Sequence, residues 1–260
     1  MIPSDQELQA FQQNGAVCLR GVVSPTELAL LTRGVDRNIQ YPSALAIEAT
    51  KPGDPGRFLE DFCNWLRIEE YEQYVRESSI AAIAGVLMDS STVRFYHDHL
   101  LVKEAGTQQP TPWHQDQPYY NVAGRHVISM WTPIDPVPRA STLEFAAGSH
   151  LGEWLMPRTF LDREAKWFPE GALREIPEDP QPVIGWELEP GDAVFFHALT
   201  LHRSAGSAQR RRVVSLRFLG DDATHAPRRW RTSPPFPGLA DELSEGAPLL
   251  HPLFPLLWSA

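Results

Sequence analysis

The chain has 260 residues, and 42% of them are hydrophobic, which is enough to bury the core of one substantial domain. Its formal net charge is −10 at pH 7, because 33 Asp and Glu residues outnumber 23 Lys and Arg residues. Nucleic acids and anionic membranes bind basic surfaces, so neither is predicted as a partner. We therefore expect one catalytic domain, residues 1–260, that acts on a small molecule.

The amino terminus shows no targeting signal. Met1–Glu7 has no basic start followed by an apolar stretch, and no run in the chain is long enough to cross a bilayer. The cysteines Cys18 and Cys63 lack zinc-site spacing and are predicted to be reduced core thiols without a chemical role. These features predict a cytoplasmic protein.

Helix signals are concentrated in residues 4–90. Ser4–Glu7 and Ser24–Glu27 both fit the capping-box pattern, so each predicts the start of a helix. A short strand is predicted between them at Ala16–Arg20. Glu69–Met88 is predicted to be helical because its apolar residues recur at helical spacing. We expect these helices to brace a sheet.

Short β-type runs separated by Gly and Pro turns dominate from residue 91 to about 220. They are Thr92–Tyr96, His99–Lys103, Val127–Trp131, Leu143–Phe145, Trp186–Leu188, Ala193–His197 and Val213–Leu219. This pattern predicts a mainly β protein with flanking α-helices, either a sandwich or a barrel. The long connection 158–185 is interpreted either as a lid or as a solvated insertion. The apolar tail, residues 221–260, is expected to pack on the body or on another subunit.

One short motif points to a metal. In an extended strand residues i and i+2 project to the same side, so His114 and Asp116 would converge, and His202 would join them later. Two neutral nitrogens and one carboxylate oxygen hold Fe(II) and leave positions open for a chelating co-substrate and O2. An H-x-D triplet occurs by chance in many proteins, but here a Gly191–Asp192 turn and an apolar run precede His202, and three arginines, 210–212, follow it. The combination predicts an iron centre.

Several ordered stretches resemble the phytanoyl-CoA dioxygenase family, which consists of non-haem iron and 2-oxoglutarate-dependent oxygenases. They are His97–Gly106, Thr111–Tyr120, Trp131–Val137, Gly148–His150 and Gly191–Arg217. The resemblance runs from the opening helix to about Leu219. It implies a double-stranded β-helix (jelly-roll, cupin-like) core, with Fe(II), 2-oxoglutarate and O2 as cofactor and co-substrates. The implied reaction is hydroxylation of an unactivated C–H bond of a small organic metabolite, with release of succinate and CO2.

The resemblance also implies roles for individual residues. The iron ligands would be His114, Asp116 and His202. Residues implied to bind the co-substrate or to line its pocket are Arg211, Gln115, Trp131, His99 and Ser204. Arg211 stands nine residues after His202 (211 − 202 = 9), and Arg210 and Arg212 remain alternatives, because a strand buried on both faces does not reveal which of them points inward.

The remaining candidates have structural interpretations. His197 is predicted to be a packed neighbour and His150 to be structural at a turn, whereas Tyr119, Tyr120 and Arg125 either line a substrate mouth or pack beside the core.

Other reactions and functions remain open. Halogenases related to the family lack the carboxylate, so the intact Asp116 favours hydroxylation or a related oxidation, and desaturation, ring closure and epimerisation stay open. The acidic balance gives mild reason to doubt a CoA ester as substrate. Two further functions fit the sequence, a non-catalytic jelly-roll protein that binds metal or a small ligand and a zinc hydrolase with the same three ligands.

Overall fold

A computed structural model places helices mainly in the first third of the chain and strands in the rest. The described residues are 2–50, 53–160, 163–165, 168–229 and 232–260. The helices are α1 Asp5–Asn14, α2 Pro25–Gln40, α3 Glu69–Glu77, α4 Ile80–Met88 and α5 Leu239–Glu242. The strands are β1 Ala16–Leu19, β2 Ile47–Glu48, β3 Phe58–Phe62, β4 Thr92–Lys103, β5 Thr111–His114, β6 Val122–Ala123, β7 Val127–Pro133, β8 Leu143–Ala146, β9 Val183–Ile184, β10 Ala193–His197, β11 His202–Ser204, β12 Arg211–Leu219, β13 Thr224–His225 and β14 Leu256–Ser259. No helix in these ranges is long and apolar enough to span a membrane.

Both predicted capping boxes are present. The Ser4 side chain accepts a hydrogen bond from the Glu7 backbone while the Glu7 carboxylate reaches back to the cap, and Ser24 and Glu27 form the same pair at the start of α2. The stretch predicted to be helical, Glu69–Met88, forms two helices with a break between them. The backbone at Ser78 is extended, with ψ at 162°, so the segment folds as α3 and α4.

Two antiparallel sheets form the core. The larger has eight strands in the order β1-β10-β7-β12-β4-β3-β2, with β14 paired to β4, and the smaller has the order β5-β11-β8-β9. One cavity is lined by residues of both sheets, and hydrogen bonding does not close the sheets into a continuous barrel. The predicted strand at Trp186–Leu188 is not formed, because Leu188 makes only an isolated bridge to Val137. Strand β3, which no sequence pattern predicted, pairs with β4.

The two faces of the larger sheet have different neighbours. On β12, Val214, Leu216 and Phe218 belong to the apolar core that the helices cover. Alternate residues of the same strand, among them Arg211 and Arg217, line the cavity instead. All nine residues of β12 are buried, so burial alone distinguishes neither face. The alternation decides which side chains can reach a ligand.

The C-terminal residues pack against the sheet. β14 pairs with β4, and Leu249 and Phe254 are buried in one cluster with Tyr96. The rings of Tyr96 and Phe254 lie 5.4 Å apart between centroids. Cys18 and Cys63 are free and partly buried, and burial raises the pKa of Cys18 to about 11, which leaves its thiol unreactive at neutral pH.

Candidate metal and co-substrate site

Three predicted ligands meet where β5 ends and β11 begins. The ladder pairs His202 directly with His114. The Nε2 atom of His114 lies 3.6 Å from Oδ1 of Asp116, and Nε2 of His202 lies 3.7 Å from the same oxygen. One potential donor atom from each residue lies within 4.8 Å of the other two, and all three residues are buried. The spacing suits one shared cation.

Backbone carbonyls fix the tautomer of both imidazoles. Nδ1 of His114 lies 2.9 Å from the Pro112 carbonyl, and Nδ1 of His202 lies 2.9 Å from the Thr200 carbonyl. A carbonyl only accepts hydrogen bonds, so each Nδ1 carries the proton and each Nε2 can offer its lone pair to a metal. Burial lowers the pKa of His202 to about 3, so this ring is neutral at physiological pH.

Asp116 is held as an anion inside the protein. Burial opposes its ionisation, but the nearby Arg217 guanidinium holds the pKa of this carboxyl well below its usual range. Its second oxygen, Oδ2, accepts a hydrogen bond of 3.0 Å from Ser129 and lies 3.6 Å from Nη2 of Arg217. Oδ1 is thereby left for a metal. Two neutral nitrogens and one anionic oxygen fit the donor preference of Fe(II).

The ligands border a cavity of about 130 Å³ between the two sheets. Four of the residues predicted to contact the co-substrate or line its pocket, His99, Trp131, Ser204 and Arg211, also line this cavity. The guanidinium carbon of Arg211 lies 5.5 Å from the centroid of the Trp131 ring, so the indole supports the cation.

Arg211 is the one arginine of the run 210–212 that lines the cavity. It is 3% exposed, one Nη donates to the Ser141 carbonyl, and Nε has no hydrogen-bond partner in the described part of the chain. Burial lowers its pKa to about 10, so it remains a cation at neutral pH. An unsatisfied buried guanidinium fits a carboxylate ligand such as that of a 2-oxo acid.

The flanking arginines point outward. Arg212 pairs with Asp135 at 2.8 Å and with Asp36 at 2.7 Å, and Arg210 lies 3.9 Å from Asp135. Both arginines therefore already have carboxylate partners outside the cavity. The alternation along β12 explains why the middle residue of the three faces inward.

Gln115 is not brought to the cavity, so its predicted contact with the co-substrate is corrected. Its Nε2 donates to the carbonyls of Glu153 at 3.1 Å and Leu199 at 3.0 Å, and its Oε1 accepts from the Leu155 backbone at 2.8 Å. Gln115 lies between the ligands His114 and Asp116 in the sequence, and its side chain is directed away from the cavity that they border. Its amide ties together the segments behind the metal site.

Further cavity residues were missed by the sequence analysis. His97 and Arg217 line the cavity, each an even number of residues from a predicted member on the same strand, so strand alternation could have found them. Glu60 lies on the missed strand β3, and its Oε1 is 3.5 Å from Nε2 of His99. Phe160 comes from the long connection and its ring lies 4.9 Å from that of His114. No sequence signal predicted these last two.

The remaining candidates divide into two groups. Tyr119 and Tyr120 line the cavity, whereas Arg125, His150 and His197 do not. Nε2 of His197 lies 2.7 Å from the Arg125 carbonyl, and Nε2 of His150 lies 3.2 Å from a backbone carbonyl of α1. The second group is engaged in packing and backbone hydrogen bonds.

Comparison with known proteins identifies relatives along nearly the whole chain. A model of the phytanoyl-CoA dioxygenase family matches residues 11–213. A probable phytanoyl-CoA dioxygenase of Caenorhabditis elegans is 25% identical over 252 residues, which covers 85% of this chain and 77% of the worm protein.

Two solved structures are similar over almost their full length. One is the epimerase SnoN in complex with Fe3+, alpha ketoglutarate and nogalamycin RO, with a TM-score of 0.78, 22% identity and 98% coverage of both chains. The other is the non-heme alpha ketoglutarate-dependent carbocyclase SnoK from nogalamycin biosynthesis, with a TM-score of 0.77, 23% identity and coverage of 98% and 97%.

The family match, the jelly-roll core and the buried metal-binding triad together define the class of non-haem iron dioxygenases. The chain belongs to the phytanoyl-CoA dioxygenase family. The predictions of the family, the fold, the enzyme class, and iron and 2-oxoglutarate as its cofactors are confirmed.

Proposed function

We propose that this protein hydroxylates an unactivated C–H bond of a small organic metabolite and converts 2-oxoglutarate and O2 into succinate and CO2. One observation carries the proposal. Two imidazoles and a carboxylate converge on one point, and the same cavity holds a buried guanidinium that has no carboxylate partner in the described part of the chain. The first group suits Fe(II), and the second suits the far end of 2-oxoglutarate.

His114, Asp116 and His202 would hold the iron. When bound, Fe(II) with 2-oxoglutarate and O2 supplies the oxidising power that cleaves the substrate C–H bond. The protein fixes the Nδ1–H tautomer of both imidazoles through hydrogen bonds to backbone carbonyls and keeps Asp116 ionised beside Arg217. These contacts prepare the three ligands before the metal arrives.

Arg211 would bind the distal carboxylate of 2-oxoglutarate. Its planar fork can give two parallel hydrogen bonds to that group, and the Trp131 ring limits its movement. Ser204 lines the same part of the cavity and supplies a hydroxyl. These groups would orient the co-substrate so that its other end reaches the metal.

Aromatic side chains would position the substrate and exclude water. Phe62, Tyr119 and Phe160 line the cavity, and the Tyr119 hydroxyl donates to the Arg158 carbonyl at 2.9 Å. This contact fastens the start of the connection 158–185 over the ligand His114. We propose that residues 158–160 cover the site, while 161–162 and 166–167 of the same connection lie outside the described residues.

The acidic chain and the cavity support a small or medium-sized organic metabolite as the substrate. A net charge of −10 disfavours nucleic acid and anionic membranes as partners, and it gives mild reason to doubt a CoA ester. A cytoplasmic location remains part of this proposal.

Succinate formation tests the proposal. The Fe(II)-loaded protein should convert 2-oxoglutarate to succinate in air, slowly alone and faster with the substrate. Absence of succinate with a broad substrate panel at full iron occupancy would support a binding protein instead. Activity that persists without oxygen or any 2-oxo acid would support a zinc hydrolase.

Epimerisation or ring closure is the second candidate reaction. The two similar full-length structures are named an epimerase and a carbocyclase. Epimerisation and ring closure differ from hydroxylation in the fate of the substrate radical and not in the iron ligands. Product analysis under 18O2 distinguishes the outcomes. Hydroxylation places one labelled oxygen in the product, whereas epimerisation and cyclisation place none there.

A further inference from the structure

Lys103, the last residue of β4, is completely buried beside the cavity. It is 0% exposed, and its Nζ donates to the carbonyls of Gln109 at 2.8 Å and Ala205 at 2.9 Å. A third, longer hydrogen bond of 3.4 Å reaches Oγ of Ser204. The Phe58 ring lies 4.6 Å from Nζ on another side. Three acceptors match the three donors of an ammonium group.

A second buried cation lies next to it. The ladder between β4 and β12 pairs Lys103 directly with Arg211. Burial and the Arg211 charge lower the pKa of Lys103 to about 6, and Glu60 and Asp54 only partly oppose this. Burial and the neighbouring guanidinium disfavour a positive charge on Lys103, so an anion that binds beside the pair stabilises its ammonium form.

Ser204 connects Lys103 to the cavity. Ser204 lines the cavity, as Arg211 does. Because Oγ accepts a hydrogen bond from Lys103, the hydroxyl hydrogen is left to point away from Nζ and toward the cavity. A donor that is itself polarised by a cation gives a stronger hydrogen bond.

We propose that Lys103 is a positioning residue for the distal carboxylate of 2-oxoglutarate and acts through Ser204, whose hydroxyl it directs toward the carboxylate that Arg211 binds. The inference rests on the proposed function, because it assumes that 2-oxoglutarate occupies this cavity. It assigns the residue a part in selecting 2-oxo acids that carry a second carboxylate over those that lack one.

Anaerobic titration of the Fe(II)-loaded protein tests the inference. Binding of 2-oxoglutarate and of 2-oxobutyrate, which lacks the distal carboxylate, is followed by the visible absorbance of the iron chelate. Lys103→Met should weaken 2-oxoglutarate binding about tenfold, the effect of one lost charge-assisted hydrogen bond, and leave 2-oxobutyrate binding unchanged. Arg210→Met is the matched control, because it removes an exposed cation directly before β12 and should change neither affinity.

A second variant examines the connection through the hydroxyl. Ser204→Ala should also weaken 2-oxoglutarate binding selectively, and Lys103→Met should add little in that background. Equal weakening for both acids, unchanged 2-oxoglutarate binding, or fully additive effects would overturn the inference. If Lys103→Met does not fold, Ser204→Ala decides alone, since an unchanged selectivity overturns the role. A wild-type protein that binds iron but neither acid would refute the proposed function itself.

Discussion

The two faces of strand β12 place arginines in opposite electrostatic settings. On the outer face Arg212 is paired with Asp135 and Asp36. On the inner face Arg211 is buried beside Trp131 with no carboxylate partner in the described part of the chain, and Arg217 lies 3.6 Å from Asp116. The outer arginine stabilises the fold, whereas the inner ones face the cavity.

Structural cations and ligand-binding cations in this protein differ in whether a carboxylate of the chain neutralises them. A buried cation loses its hydration, and a fold usually offsets that cost with a buried carboxylate. Asp135 does so for Arg212. For Arg211 the compensating carboxylate has to come from a ligand, so the unpaired member of the set is the one to test for binding.

The largest effect is expected where the inner face meets the metal. Asp116→Ala should abolish turnover and reduce iron affinity by about two orders of magnitude or more, because a first-sphere anion is lost. Iron content after gel filtration and the thermal unfolding midpoint measure the two consequences. Asp135→Ala, which removes the carboxylate of the outer pair, should keep iron. Near-normal turnover of Asp116→Ala would show that the assignment of the metal site is wrong.

The next largest effect on 2-oxoglutarate use is expected when the inner arginine is replaced by alanine, with the outer arginine as the comparison. Arg211→Ala should raise the 2-oxoglutarate concentration for half-maximal succinate formation roughly a hundredfold, because two charge-assisted hydrogen bonds are lost. Arg212→Ala should instead lower the free energy of unfolding by about 2 kcal/mol and leave that concentration unchanged. If the two variants behave alike, the distinction between the two faces is unfounded.

The pH dependence of co-substrate binding tests whether Lys103, on the cavity side of the sheet, becomes protonated when 2-oxoglutarate binds. Burial and Arg211 lower the pKa of Lys103 to about 6, and the carboxylates of Glu60 and Asp54 partly oppose this lowering. A bound distal carboxylate favours the ammonium form, so binding above pH 6 takes up a proton and 2-oxoglutarate affinity falls as the pH rises.

The expected slope is up to about tenfold per pH unit between roughly pH 6.5 and 8.5. Lys103→Met should show a shallower slope in the same anaerobic titration, because its own titration is removed. Arg210→Met should keep the wild-type slope. Identical slopes for all three proteins would mean that Lys103 takes up no proton on binding.

Gln115 should have the smallest effect on co-substrate affinity. Its amide makes three hydrogen bonds to backbone groups of the segments behind the ligands. Gln115→Ala should therefore lower the free energy of unfolding by about 2–4 kcal/mol, while the 2-oxoglutarate dissociation constant stays close to that of the wild type. Chemical denaturation and the anaerobic titration measure the two quantities. A large loss of affinity at wild-type stability would return Gln115 to the binding site.

Much of this arrangement follows from local rules. The capping serines Ser4 and Ser24 start helices as predicted, and the i, i+2 rule places His114 and Asp116 together. Local rules do not determine which helices and strands become neighbours. Glu60 reaches the cavity because β3 pairs with β4 over a long sequence separation, and Phe160 arrives from a connection without regular structure.

The arginine run shows the same boundary between local and long-range information. A strand buried on both faces carries no apolar alternation, so the inward member of residues 210–212 is defined only by the pairing of β12 with β4 and β7. The same alternation, counted forward from Arg211, leads to Arg217. Its contact with Asp116 depends on how the two sheets pack, which the local pattern does not predict.

Anomalous diffraction at the iron edge, from crystals soaked without oxygen in Fe(II) and 2-oxoglutarate, would locate both the metal and its co-substrate. We predict one iron peak bonded to Nε2 of His114, Nε2 of His202 and Oδ1 of Asp116, with the distal carboxylate of 2-oxoglutarate on Arg211. An iron peak away from these three atoms, or a bound 2-oxoglutarate that leaves Arg211 untouched, would contradict the account.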